Sequence, residues 1–135
     1  MLRPYAPEVV VLLIGTNDLG GGRPALATAA NVRRCTGAIG ARVPGVRVLL
    51  LALLPRCDGG GARATLVDAV NAYLEAYAVA DGTRFANVGA TFVTAQGVPR
   101  AERYEPDGLH LSAEGYRAFA DALAAPLHDA LAARA

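Results

Sequence analysis

Apolar residues along this chain fall into two kinds of run. The first kind is continuous. Residues 9–14, VVVLLI, hold no polar position and are rich in β-branched side chains, which predicts a strand buried on both faces of a parallel sheet. Residues 46–54, VRVLLLALL, predict a second strand closed by Pro55, and residues 84–92 a weaker third. The second kind recurs at helical spacing. Within residues 25–41, Leu26, Ala29, Val32 and Ile39 supply an apolar side, Pro24 suits the first turn, and Pro44-Gly45 ends the helix. Within residues 62–80 the same role falls to Leu66, Val70, Tyr73, Leu74 and Tyr77, after which Asp81-Gly82 turns the chain. Ser112 is a good N-cap for a last helix, with Glu114 favourable in its first turn. Tyr116, Phe119, Ala120, Leu123 and Leu127 form that helix's expected buried face, and Pro126 should kink it late. Residues 93–106 follow neither pattern, and irregular stretches of that length inside a compact domain are often functional.

Strand, helix, strand, helix, strand, helix is the signature of an α/β fold. Right-handed crossovers would give a parallel sheet with helices on its faces and all strand ends on one rim. Ligands of such sheets bind outside the carboxyl ends of the strands. The first strand stops at Gly15 and delivers Thr16-Asn17-Asp18 to that rim, which makes the stretch a candidate active-site edge. A turn that merely ends a strand has the same composition. Gly20-Gly21-Gly22 is a flexible break, without the strand-to-helix setting of a phosphate-cradling loop. That weakens a receiver-type or flavodoxin-type binding reading.

Composition narrows the partners. The chain has 135 residues, enough for one domain with a real core, and 53% of them are hydrophobic, so it is globular. The net charge of +1 argues against a nucleic-acid partner or an anionic membrane held by bulk charge. All 13 basic residues are arginines and they are scattered, which reads as a compositional bias and not as a basic patch. No apolar run is long enough to span a bilayer, and residues 1–7 do not form a signal peptide. Cys35 and Cys57 lack metal-ligand spacing and read as ordinary thiols, so they do not fix the compartment.

Candidate chemistry returns to the rim just before the last helix, as Asp107-Gly108-Leu109-His110. A carboxylate three residues before a histidine can bend back onto its Nδ1–H, fix the tautomer and leave Nε2 free as a base. A lone pair of this spacing also occurs in solvated loops. His128, near the end of the last helix, reads as a surface residue suited to the helix dipole.

Taken together, Gly15-Thr16-Asn17-Asp18 and Asp107-Gly108-Leu109-His110, continued by Ser112 to Tyr116, resemble the third and fifth blocks of the SGNH (GDSL-type) hydrolases. These are esterases and lipases on a three-layer, flavodoxin-like α/β/α fold. A closer likeness, to the platelet-activating-factor acetylhydrolase catalytic-subunit branch, rests on Leu53-Leu54-Pro55-Arg56, Leu109-His110-Leu111 and Pro126-Leu127-His128. The resemblance implies hydrolysis of small ester or lipid substrates through an acyl-enzyme, without metal or cofactor. It implies His110 as general base, Asp107 as its orienting carboxylate, and Asn17 with Gly15 at the oxyanion or substrate-binding position. Asp18 would hold the turn.

The family's nucleophilic serine precedes the block at Gly15, after a strand this chain does not contain. The only serine here is Ser112, accounted for as a helix cap. Cys35 falls in a helix, and Cys57 on a rim loop has no neighbouring feature to activate it. The expectation is therefore a C-terminal portion of a single domain lacking the first two strands, with Met1 an internal methionine. Its first strand would be an exposed edge, open to an N-terminal complementing segment or to a second copy. A non-catalytic binding or assembly module on the same fold is the rival reading.

Overall fold

The computed structural model describes residues 5–133, so the expectation concerning Met1 lies outside the described residues. Three parallel strands, β1 (Val9–Leu12), β2 (Arg47–Leu51) and β3 (Arg84–Ala86), lie side by side in the order β1-β2-β3. Val9 sits opposite Arg47 and Leu12 opposite Leu50, while Leu49 faces Arg84 and Leu51 faces Ala86. The helices are α1 (Thr16–Gly20), α2 (Ala25–Arg42), α3 (Gly60–Asp81) and α4 (Ala113–Ala132). The sheet with helices on both faces is the α/β architecture expected.

The alternation of a strand sorts β2 between two cores. Leu50 turns toward the helix pair α2 and α3, where it packs with Leu19, Ala29, Val32, Leu53, Val67, Val70 and Leu74. Leu49 and Leu51 turn the other way, toward Ala130, Phe119 and Leu123 of α4. Both crossover helices therefore share one face, and the last helix holds the other.

Several expectations need correction. Residues 9–14 were expected to be buried on both faces, yet Val11 and Ile14 are exposed. Among the described residues β1 pairs only with β2, so it is an edge, and α4 covers the sheet over β2 more than over β1. The third strand is three residues long, not nine. After it the Asn87 side chain accepts a hydrogen bond from Gly89 N, and the chain winds into a short 3-10 turn, Gly89–Phe92. Leu26, Leu66, Tyr73, Tyr116 and Ala120 are exposed, whereas Thr28 and Val67 are buried. Pro24 stands at the N-cap of α2, just outside its first turn. Residues 93–106, expected to be irregular, are folded back by bridges between Val93 and Pro99 and between Tyr104 and Leu111.

One half-buried side chain extends the sheet toward the rim. Asn71 of α3 accepts from Leu53 N at 2.7 Å and donates to Leu53 O at 3.0 Å, standing in for a neighbouring strand where β2 has ended. Leu53 is 1% exposed, so neither backbone group has water as a substitute. Asn71→Ala should lower unfolding free energy by about 1–3 kcal/mol, the range for stranding buried polar groups, read from the urea midpoint.

Candidate active site

The rim is built first at the end of β1. Gly15 has φ +117°, and a Cβ there would sit 3.2 Å from Thr28 Cγ2 and 3.3 Å from Val32 Cγ2. Only glycine lets the chain turn this sharply against α2. α1 begins at once, with Leu19 buried beneath it and Asn17 exposed above. Asp18, in the first turn of α1 where a carboxylate suits the dipole, lies 3.6 Å from Arg23 as an exposed ion pair. The Asn17 side-chain amide has no hydrogen-bond partner among the described residues.

The second half of the rim is a closed hairpin. Tyr104 bridges to Leu111, Glu105 N donates to His110 O at 2.8 Å, and Gly108 N donates to Glu105 O at 2.9 Å. Inside it Asp107 spends one carboxylate oxygen on the backbone N–H groups of Leu109 and His110, both at 2.9 Å. Its other oxygen meets His110 Nδ1 at 2.5 Å. The imidazole hydrogen bond, then the two backbone donors, pull the Asp107 carboxyl down to about 2, so it is ionised at neutral pH. The Asp–His geometry inferred from spacing is therefore formed, with Nε2 free of partners among the described residues.

Buried groups anchor the hairpin. Tyr104 donates its hydroxyl to Pro55 O and packs edge-on against the fully buried Phe92, ring centroids 6.0 Å apart. Burial raises the Tyr104 phenol, which keeps the hydroxyl a neutral donor. Cys57 N donates to Gly108 O at 2.9 Å. Gly108 has φ +68°, and a Cβ there would fall 2.9 Å from Asp58 N. Arg56, whose side chain is 5% exposed, forks onto Asp58 through Nε and Nη2 at 2.6 Å each, and its Nη1 reaches Thr16 O and Oγ1. Arg56, Asp58, Asn71 and Tyr104 were not read as site residues. The signal available was an arginine two residues before an aspartate in a rim loop.

Asn17 and His110 line one cleft of about 360 Å³, together with Leu13, Ile14, Leu54, Tyr116 and Phe119. Gly15 lies behind the turn and does not line it. His110 is 72% exposed on its side chain and Asp107 48%, so the pair stands open to solvent. Ser112 accepts from Gly115 N at 3.1 Å and donates to Glu102 O at 2.7 Å, committing its hydroxyl twice. Cys57 lines a separate cleft behind Pro55, and burial, then Asp58 and Glu102, push its thiol up, away from the nucleophilic thiolate. Cys35 and His128 are exposed on α2 and α4. Among the described residues no group of three or more His, Cys, Asp or Glu could hold a metal, and no helix is long and apolar enough to cross a membrane.

The Asp107 carboxyl carbon, followed by NMR, should titrate with a midpoint near 2. In His110→Ala the midpoint should rise part of the way toward the ordinary value of about 3.9, because the backbone donors remain. The depressed value means that the pair adds stability above about pH 4, which is lost as pH falls toward 2.

Comparison with known proteins bears on the family and the fold. The sequence model of the GDSL-like lipase/acylhydrolase family matches residues 1–118. A GDSL-like lipase from Bacteroides thetaiotaomicron is 25% identical with a TM-score of 0.77, over 96% of this chain and 66% of that one. A Streptococcus pneumonia protein assigned as a platelet activating factor is 26% identical with a TM-score of 0.70, over 89% of this chain and 59% of that one. A serine-to-alanine mutant of an acetyl esterase with acetate ion, 19% identical with a TM-score of 0.75 over 95% of this chain and 60% of that one, shares the fold. This chain thus spans 59% to 66% of the length of these three. No curated protein matches it. With its sequence matched over most of its length and its fold shared with these structures, the chain belongs to the GDSL-like lipase/acylhydrolase family.

Proposed function

We propose that this chain supplies the base and part of the oxyanion hole of a serine-esterase-type site that hydrolyses small acyl esters. His110 Nε2 takes the proton from the attacking hydroxyl and returns it to the leaving alcohol. Asp107 holds the tautomer and stabilises the imidazolium. The Asn17 amide donates to the oxygen that becomes negative in the tetrahedral intermediate, an interaction that strengthens as charge develops. The observation that carries this reading is that Asn17 and His110, far apart in sequence, line a single cleft, with Asp107 hydrogen-bonded to the His110 ring.

The hydroxyl itself comes from outside these residues. Ser112 is bound at both ends of its hydroxyl, and Cys57 is a raised thiol. We propose that a strand ending in Gly-Asp-Ser completes this single domain by pairing with the free edge of β1, which would bring its serine to the cleft and shield His110. Support comes from the apolar, half-exposed flank made by Val11, Ile14, Phe119 and Tyr116, and from the greater length of the similar structures.

Hydrolysis of a short-chain aryl ester tests this, with the chain alone and with the chain joined to such a strand and its helix. The chain alone should give no His110-dependent turnover. The joined protein should turn over with an acyl-enzyme burst, lost in His110→Ala and reduced about 10²–10³-fold in Asn17→Ala. Turnover by the chain alone that vanishes in His110→Ala would reveal a nucleophile within it. A folded joined protein without turnover would favour the non-catalytic module.

A further inference from the structure

The loop that leaves β2 touches both halves of the rim, residue by residue. Pro55 O accepts the Tyr104 hydroxyl, and Cys57 N donates to Gly108 O at 2.9 Å, so the residues on either side of Arg56 grip the His110 hairpin. Arg56 itself points the other way. Its Nη1 donates to Thr16 O at 2.9 Å and to Thr16 Oγ1 at 3.0 Å, and its guanidinium lies within 4 Å of where a Cβ on Gly20 would be. Thr16 O is the carbonyl of the peptide whose nitrogen belongs to Asn17. The Asn17 side chain has no partner of its own among the described residues. Its direction is therefore set by the backbone that carries it, and Arg56 holds that backbone.

We infer that Arg56 is a positioning residue for Asn17, locking the Thr16–Asn17 peptide to the same loop that grips the His110 hairpin. The role rests on the reading of Asn17 as an oxyanion donor, while the mechanical link does not. Its chemistry needs a planar fork. Two N–H groups must bind Asp58 side by side while a third reaches a backbone carbonyl in another element, and the whole group must remain charged while buried. A lysine ammonium has neither the reach nor the fixed angles to make both contacts. The link differs from that of Arg63, whose Nη1 donates to Leu19 O, holding the far end of α1 to α3.

Backbone ¹⁵N relaxation on the purified chain tests the inference, because a general loss of stability would not single out one peptide. In the unsubstituted chain the Asn17 N–H should show a rigid order parameter, about 0.85. In Arg56→Met it should fall below about 0.6 while Leu19 and the α3 amides stay rigid, and in Arg63→Met the order should be reversed along α1. An Asn17 as rigid in folded Arg56→Met as in the unsubstituted chain overturns the inference. Should Arg56→Met fail to fold, Arg56→Lys decides it: loss of order confined to Thr16 and Asn17 supports the role, and unchanged order overturns it. Ester hydrolysis is read separately. An Asn17 that loosens in Arg56→Met while the joined protein shows no esterase activity upholds the link and removes only the oxyanion reading.

Discussion

Backbone polar groups that leave a buried sheet must find partners, and in this protein that requirement builds the rim. β2 ends among side chains with almost no exposure, and beyond Ala52, whose N–H still reaches Ala86 O of β3, the next residues need partners outside the sheet. Asn71 accepts and donates at Leu53, Tyr104 donates to Pro55, Gly108 accepts from Cys57, and Arg56 turns outward to Thr16. Each satisfied group pins another element in place. The helix that crosses from β2 to β3, the hairpin of the histidine and the turn of the asparagine are thereby referred to one short stretch of chain.

The long apolar runs made the strands legible, and helical spacing made the helices legible to within a few residues. What the runs could not convey was coverage. Residues 9–14 read as doubly buried because apolarity reports the environment a strand is suited to, whereas its burial here depends on what lies beside it. Helix stripes included Leu26, Leu66 and Tyr116, which are exposed, and left out Thr28 and Val67, which are buried, because spacing marks an apolar side without fixing which of its positions meets a neighbour. Asp107 and His110 were legible because the chemistry needs that spacing on a single turn. Arg56 was not, since its partners are one aspartate two residues on and one carbonyl in a distant element, a pattern with no periodicity.

The electrostatics of the pair follow from how its carboxylate is used. Asp107 is not deeply buried, yet three hydrogen bonds favour its charged form. The histidine thus has a fixed anion at Nδ1 on a hairpin that cannot easily reorient, because Gly108 is pressed against the Cys57 backbone. Rigidity here comes from backbone closure, not from burial of the pair.

The winding of the sheet carries one more consequence. β1, β2 and β3 are laid down in chain order toward one side, with α2 and α3 on the same face, whereas α4 lies on the opposite face. A strand added to the free side of β1 would be laid down in the reverse direction, and the two senses of winding would part company at β1. In doubly wound sheets, adjacent crossovers diverge at such a point and leave a crevice between them. Gly15, Thr16 and Asn17 would then emerge at that divide, and the location of the cleft would be a property of the path of the chain, set before any particular side chain is placed in it.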